Sequence, residues 1–482
     1  VNQLTQHKWF YGICAAFIAV QSIAVWADWL WMPALPLVFL FGLLVFFKLD
    51  LVLLLLCFLV PLSINFDNIG FGLGISLPAE PLLMLILPLA LFKFLIDGQY
   101  DRSIFKHPIT VVILLQLVWT FITTLTSEVP LASVKFLVSK LWFVVAFYFL
   151  GIPLFKKFTN IHLYIGLYTL ALLLVIGYVL KEHSAYHFSQ KYSYTITMPF
   201  YVSHGVYAAA IAFVLPILCC YVFLPAVFKH NTPLYIAIAA ILVIYCIALF
   251  FSYTRAAWLS IILAIAAMVP ILLKIRFNTI LVLVFTLAGL VFTFQDELLY
   301  VLSKNNQDSS KDYFEHFRSA SNIKTDASNM ERLNRWSCAI DMFVERPFVG
   351  FGPGTYSFVY GPFQLSRNRT IISTDYGDGG NAHSEYLQPL CETGLIGALL
   401  MLLLVYTGLS TAFRLYYTAQ DPKVKYTSLG ILLGMLTYFV HGVMNNYSET
   451  DKIAILFWGF FAMITAIDLY HKQKSPNESD TY

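Results

Sequence analysis

Charge is what this sequence has least of. Asp, Glu, Lys and Arg together make up 12% of its 482 residues, against 59% hydrophobic residues, whereas a soluble domain carries roughly a quarter charged residues. That scarcity excludes a water-filled setting for most of the chain. The formal net charge is only +3, and no basic cluster with interleaved aromatics occurs, which excludes nucleic acid as a partner. Cysteine builds no framework: Cys14, Cys57, Cys219, Cys220, Cys246 and Cys391 sit in apolar runs, where a thiol behaves as a small hydrophobe, and Cys338 stands alone in a polar region. No C-x-x-C or H-E-x-x-H spacing points to a metal centre. There is no D-x-D; its nearest approach is Glu449-Thr450-Asp451.

What the chain has instead is long apolar runs, each enough to cross about 30 Å of hydrocarbon. The expected spans are 9–27, 29–47, 50–65, 80–96, 108–126, 134–154, 161–180, 205–228, 233–252, 256–274, 277–295, 385–413, 426–446 and 453–470. The fold class is therefore all-α, a polytopic transmembrane helical bundle of about 12–14 spans. With so many later spans, the first reads as an uncleaved anchor. Four parts follow: N-terminal membrane helices (1–295), a large partly helical loop (296–384), C-terminal membrane helices (385–470) and a solvated tail (471–482).

Lysine and arginine in short loops set orientation. Lys48, Lys93, Arg102, Lys106, Lys156, Lys157, Lys229, Lys274, Arg276, Arg414, Lys423 and Lys425 fall on one side, with Lys472 and Lys474 of the tail. That side is cytoplasmic. Segments 66–79, 181–204, 252–255, 296–384 and 445–451 then lie outside and hold most of the unusual polar chemistry. Within the long loop, 308–328 is polar and expected to be mobile. Ser328 and Glu331 have the spacing of a capping box, and Leu333, Trp336, Ile340, Phe343 and Val344 follow at helical spacing until Pro347. The pattern predicts an amphipathic helix on the membrane surface or roofing a cavity, with Arg332 and Arg335 flanking its apolar stripe.

Several residues in these outer segments have chemistry to offer, each with a bland reading beside it. Arg255 in "FSYTRAAWLS" is either a snorkelling helix-end arginine or an anion clamp, its five donors matching phosphate oxygens; Tyr253 adds a hydroxyl. Lys135 and Lys140 sit at the outer end of a span, where a cation needs a partner or a wet cavity. Lys135 can snorkel outward, and Lys140, deeper, faces a polar interior or pairs with a buried glutamate. His204 is an interfacial histidine or a ligand group. "GFGPGTYSF" (350–358) follows a helix rather than a strand and reads as a tight turn. His383 stands out. With Asn381 or Ser384 capping the next helix, the helix dipole disfavours an imidazolium there, and a neutral imidazole can accept a proton. Pro389 could kink that helix.

Three stretches taken together, "SYTRAAWLS" (252–260), "RLNRWSCAIDMFVERPFVGFGPGTYSF" (332–358) and "AHSEYLQPLCETGLIGAL" (382–399), resemble the O-antigen ligase and O-antigen polymerase superfamily of bacterial membrane glycosyltransferases. The resemblance implies transfer of a glycan from undecaprenyl diphosphate to a hydroxyl of lipid A–core, another glycan or a protein. It implies a site on the periplasmic face of the inner membrane, no cofactor, and a metal-independent, inverting reaction. Arg255 matches the family arginine and His383 the family histidine that activates the acceptor; Glu385 would orient that histidine or the acceptor. Arg332, Arg335 and Tyr253 would serve the substrate loop. Lys135 and Lys140 join the diphosphate site by charge and depth alone. "PFYVSHGVYA" departs from the family by placing His204 where many ligases have a second arginine. A polymerase and a protein O-oligosaccharyltransferase are the alternatives within the class. A transporter is the rival outside it, but a transporter lines a path through the membrane with polar groups, whereas these cluster on one face.

Overall fold

Residues 2–29, 32, 35–66, 75–97, 101–224, 232–293, 327–364 and 380–471 are described by a computed structural model. Residues 308–326 of the expected mobile loop and the tail from 472 onward lie outside them. The helices are α1 (Asn2–Trp26), α2 (Leu35–Phe47), α3 (Leu49–Leu62), α4 (Ala79–Asp97), α5 (Arg102–Lys106), α6 (Pro108–Leu125), α7 (Pro130–Leu154), α8 (Phe158–Ala185), α9 (His204–Phe223), α10 (Thr232–Phe251), α11 (Arg255–Leu272), α12 (Phe277–Thr293), α13 (Ala327–Glu345), α14 (Leu387–Thr418), α15 (Pro422–His441) and α16 (Asp451–Ala466). Strands β1 (Ile64–Phe66) and β2 (Ile75–Leu77) pair antiparallel with Asn65 opposite Ser76. The chain is an all-α polytopic bundle, as expected.

Among the described residues nine helices are long and apolar enough to cross a membrane, or ten if a bent pair counts as one span. This is fewer than the 12–14 read from hydropathy. The expected second and third spans form that pair, α2 and α3, bent by 119°, and the apolar stretches of α1 and α12 are short. In α15 the chain is 20 residues long but less apolar, and most of it is buried against protein rather than left to lipid.

Helix α9 and the span that begins with α16 form the axis, each 83% buried. Against α9 lies α15, whose Gly430 and Gly434 face it four residues apart. A Cβ at Gly430 would come 2.7 Å from the Ile217 side chain, and one at Gly434 2.6 Å from the Phe213 carbonyl. Small residues at this spacing let membrane helices approach closely, and Thr437 Oγ1 donates across the interface to the Ala212 carbonyl at 3.0 Å. At the top of α16, Lys452 is 2% exposed. Its ammonium donates to the carbonyls of Val60 (2.6 Å) and Ser63 (2.7 Å), where α3 ends, and lies 3.6 Å from Asp451. Asp451 in turn accepts from Ser76 Oγ at 2.8 Å. A buried charge so placed is matched on every side, which is the condition for keeping it.

Helix α14 is broken. Gly394 has φ 71 and ψ −170, five residues beyond Pro389, where the kink was expected. The break strips carbonyls of their helical partners, and a loop takes them. Phe351 N–H donates to Cys391 O (3.1 Å), Gly352 N–H to Glu392 O (2.8 Å) and Trp119 Nε1 to Thr393 O (2.8 Å), while Leu395 N–H donates to Pro347 O at 2.8 Å. Glu392 adds its carboxylate, accepting from the backbone N–H of Gly354 and Tyr356, both at 2.9 Å. Segment 350–358 is the tight turn expected of it, with positive φ at Gly350, Gly352 and Gly354.

A side chain at Gly394 would strike the Phe348 carbonyl as well as strain a left-handed φ. Gly394→Ala is therefore expected to destabilise the protein by more than the ~1–3 kcal/mol of backbone strain alone, seen as a lowered melting temperature in detergent. Gly177→Ala, with no atom within 4 Å of its Cβ, is the control and should be neutral or stabilising.

Candidate active site at the loop end of the bundle

The polar segments converge on one end of the bundle. Glu128 N–H, after α6, donates to Phe351 O at 2.9 Å. Thr254 Oγ1, in the turn before α11, donates to His204 O at 3.4 Å. Asn381 Nδ2 donates to Asn446 O, between α15 and α16, at 3.0 Å.

Helix α13 roofs this end. It begins at Ala327, so Ser328 lies inside the helix rather than at its cap, and Glu331 pairs with Arg335 at 2.8 Å. On it Asn334, Arg335, Cys338, Ala339 and Met342 are covered by protein, while Leu333, Ile340 and Val344 of the apolar stripe are exposed. That a charged face can be covered has a physical cause. Arg335 is neutralised by Glu331, donates to Asn381 O at 3.1 Å and lies over the Tyr360 ring at 5.1 Å, so it can be buried at little cost. Tyr356 OH donates to the Arg335 carbonyl at 2.9 Å. Arg335 thus holds the segment leading to His383 in place.

His383 has φ 49, a strained value for an imidazole residue. Three contacts hold it there: its N–H donates to Asn381 Oδ1 at 3.0 Å, its carbonyl accepts from Trp336 Nε1 at 3.3 Å, and Ser384 Oγ accepts from Tyr386 and Leu387 N–H, both at 3.3 Å. Ser384 supplies the cap that the sequence suggested. The ring is left with Nδ1 buried and unbonded. Burial first, and then the charges of Arg335 and Arg332, push its pKa down to about 3, so His383 is neutral at pH 7.

Arg332 is the charge these histidines share. Its guanidinium is an electrostatic neighbour of His383, His204, His441 and Tyr447. His441 is 2% exposed, with neither ring nitrogen hydrogen-bonded, and Asn446 Oδ1, in the loop that follows α15, is likewise buried and unbonded. An unsatisfied buried polar group costs about 1–3 kcal/mol, and such atoms also occur elsewhere among the described residues, at Tyr201, Tyr207, Thr427 and Ser428 for example. His204 opens α9, which Ser203 caps, and meets the Tyr194 ring edge-on at 4.4 Å. The turn carrying Arg255 adjoins His204 through Thr254. Tyr253 OH donates to Phe188 O at 2.8 Å, which anchors that turn.

The remaining candidates lie elsewhere. Glu385 does not touch His383: it accepts from Tyr438 OH, Tyr447 N–H (2.8 Å), Ser448 N–H (2.9 Å) and Ser448 Oγ (2.8 Å). Four donors saturate it, so it positions the 442–450 loop. Lys140 lines a cavity of about 100 Å³ together with Glu385, Glu392, Asn446 and Glu449. Glu449, Glu385 and Glu392 are electrostatic neighbours of its ammonium, an arrangement compatible with the glutamate-paired alternative. Lys135 is exposed on α7, away from that cavity. His441 and Glu392 were not singled out by sequence, because a histidine or glutamate in an apolar run says nothing of its neighbours; Glu449 was noted only in the nearest approach to a D-x-D.

Fold and site together define a multi-pass helical membrane protein with a cationic, histidine-lined site at one end. Residues 238–402, roughly a third of the chain, match the family model described as O-antigen ligase. The match supports the O-antigen ligase superfamily and, with it, a membrane glycosyltransferase of the ligase or polymerase type. It spans Arg255, Arg332, Arg335, His383, Glu385 and Glu392, and leaves out Lys135, Lys140, His204 and His441. No curated protein matches the chain.

Because His383 has a lower pKa folded than unfolded, its contribution to stability is complete above about pH 6.5 and lost as pH falls toward 3, while the unfolded chain takes up a proton and the folded one does not. His383→Gln is expected to flatten the decline in melting temperature over that window, measured in detergent across pH 4 to 7.

Proposed function

We propose that this protein moves a glycan from undecaprenyl diphosphate to an acceptor hydroxyl, that of lipid A–core first among acceptors, at the periplasmic face of the bacterial inner membrane. The observation that carries the reading is the gathering of His383, His204 and His441 around Arg332, with polar atoms left unbonded at the point where the family-matched turn, loop helix and histidine meet.

In this reading Arg332 and Arg255 hold the diphosphate by paired N–H donors, with His204 at their side. His383 accepts the acceptor's proton as that oxygen bonds to the anomeric carbon from the face opposite the leaving group. The bond from the anomeric carbon to the phosphate oxygen breaks, undecaprenyl diphosphate leaves, and the configuration inverts. Cationic side chains stabilise the departing charge in place of a metal. Donor binding also prepares the base. The anion offsets the two arginines that depress the His383 pKa, so the imidazole becomes a better proton acceptor once the diphosphate is seated. Arg335, Glu385 and Tyr253 hold the frame.

His383→Ala is expected to lower kcat by about 10²–10⁴-fold, the usual worth of a general base, with donor binding retained, and full activity would remove it from the mechanism. Arg255→Lys keeps the charge but loses the fork, and is expected to cost at least about tenfold in kcat/KM; unchanged turnover would leave Arg255 a snorkelling residue. Both are read by transfer from a labelled lipid-diphosphate glycan offered lipid A–core, a second lipid-linked glycan and a protein side by side. Product on the second glycan alone would make the enzyme a polymerase, and product on protein an oligosaccharyltransferase.

A further inference from the structure

A second cavity lies at the opposite end of the bundle, where none of the site residues reach. It occupies about 630 Å³ at the 119° bend between α2 and α3 and is lined there by Lys48, Lys93 and Lys156, with Asp50 and Asp101. The rest of its wall is apolar, from α2, α3, α4, α5 and the end of α7.

The lysines keep spare donors. Lys93 gives one proton to the Phe46 carbonyl at 3.0 Å, and an ammonium has three. Lys48 and Lys156 are exposed. Asp101 is occupied elsewhere, accepting from Ser103 N–H (3.0 Å) and Tyr470 OH (2.9 Å), and its distance to Lys156 is a loose 4.0 Å. Asp50 sits in the first turn of α3, where the helix dipole favours an anion. Beyond the lysines, the rim is apolar: Phe47 is 70% exposed, Leu51 57% and Phe94 42%.

We propose that this cavity binds the phosphate headgroup of an anionic phospholipid, whose acyl chains leave across Phe47, Leu51 and Phe94. Three features argue for a lipid over a free phosphate. The cations and the apolar rim are adjacent, as an amphiphile requires. The bend in the α2–α3 pair leaves a wedge that straight spans would have filled with side chains. The lysines belong to the set that the positive-inside pattern places at the cytoplasmic leaflet, where anionic lipids attract such residues. The site would hold this corner of the bundle together without taking part in transfer.

The test uses purified full chain titrated with phosphatidylglycerol, phosphatidylcholine and glycerol 3-phosphate, with lipid occupancy read by native mass spectrometry and melting temperature alongside. Phosphatidylglycerol should bind and stabilise, and Lys48→Gln/Lys93→Gln should weaken it by about 5-fold per lysine removed. Asp50→Asn should tighten it, a gain that misfolding cannot produce. Equal binding of phosphatidylcholine, equal stabilisation by glycerol 3-phosphate, or unchanged phosphatidylglycerol occupancy in the double variant would each overturn the proposal.

Discussion

The break in α14 is the constraint on which the active end depends. A membrane helix satisfies its own backbone, and any interruption leaves polar groups that hydrocarbon cannot serve. Here Gly394 interrupts it, and the freed carbonyls of Cys391, Glu392 and Thr393 become the attachment points for Phe351, Gly352 and Trp119. The defect therefore fixes the loop after α13 to the helix after His383. Arg332 and His383, about fifty residues apart in sequence, share one site because the backbone of α14 is incomplete between them and the bilayer.

Around that anchor, carboxylates serve as fasteners. Glu392 takes two backbone N–H groups of the 350–358 turn, Glu385 takes four donors from α15 and the loop before α16, and Glu331 neutralises Arg335. Each is buried where an unpaired charge would be costly, and each is matched. Among the groups that stay unmatched are ring nitrogens of His383 and His441 and the Oδ1 of Asn446. That division, between groups that hold and groups left to act, is what separates frame from site.

Composition made the helical membrane fold legible, and motif order made Arg255, Arg332 and His383 legible as a group. Other features were hidden because they are relations between distant residues. Nothing local reveals that Glu385 faces Tyr438 and Ser448 rather than His383, or that Lys140 opens on Glu392 and Glu449. Helix α13 is a further case: its apolar stripe was legible, but that protein covers the face carrying the ion pair of Arg335 and Glu331 was not. Likewise Pro389 was a reasonable site for the kink, but a proline near a helix start is tolerated, whereas Gly394 is pressed against the Phe348 carbonyl.

The placement of Lys452 has a consequence for how the molecule is made. Helix α16 is the last of the described helices in chain order, yet it stands at the centre, and its lysine satisfies carbonyls at the end of α3. The carbonyls at the end of α3 therefore have this partner only once a helix far along the chain is in place. A register slip of one residue would carry the ammonium away from Val60 and Ser63 and leave it bare among apolar side chains. The buried cation thus favours one alignment of α16 against α3 and penalises the rest.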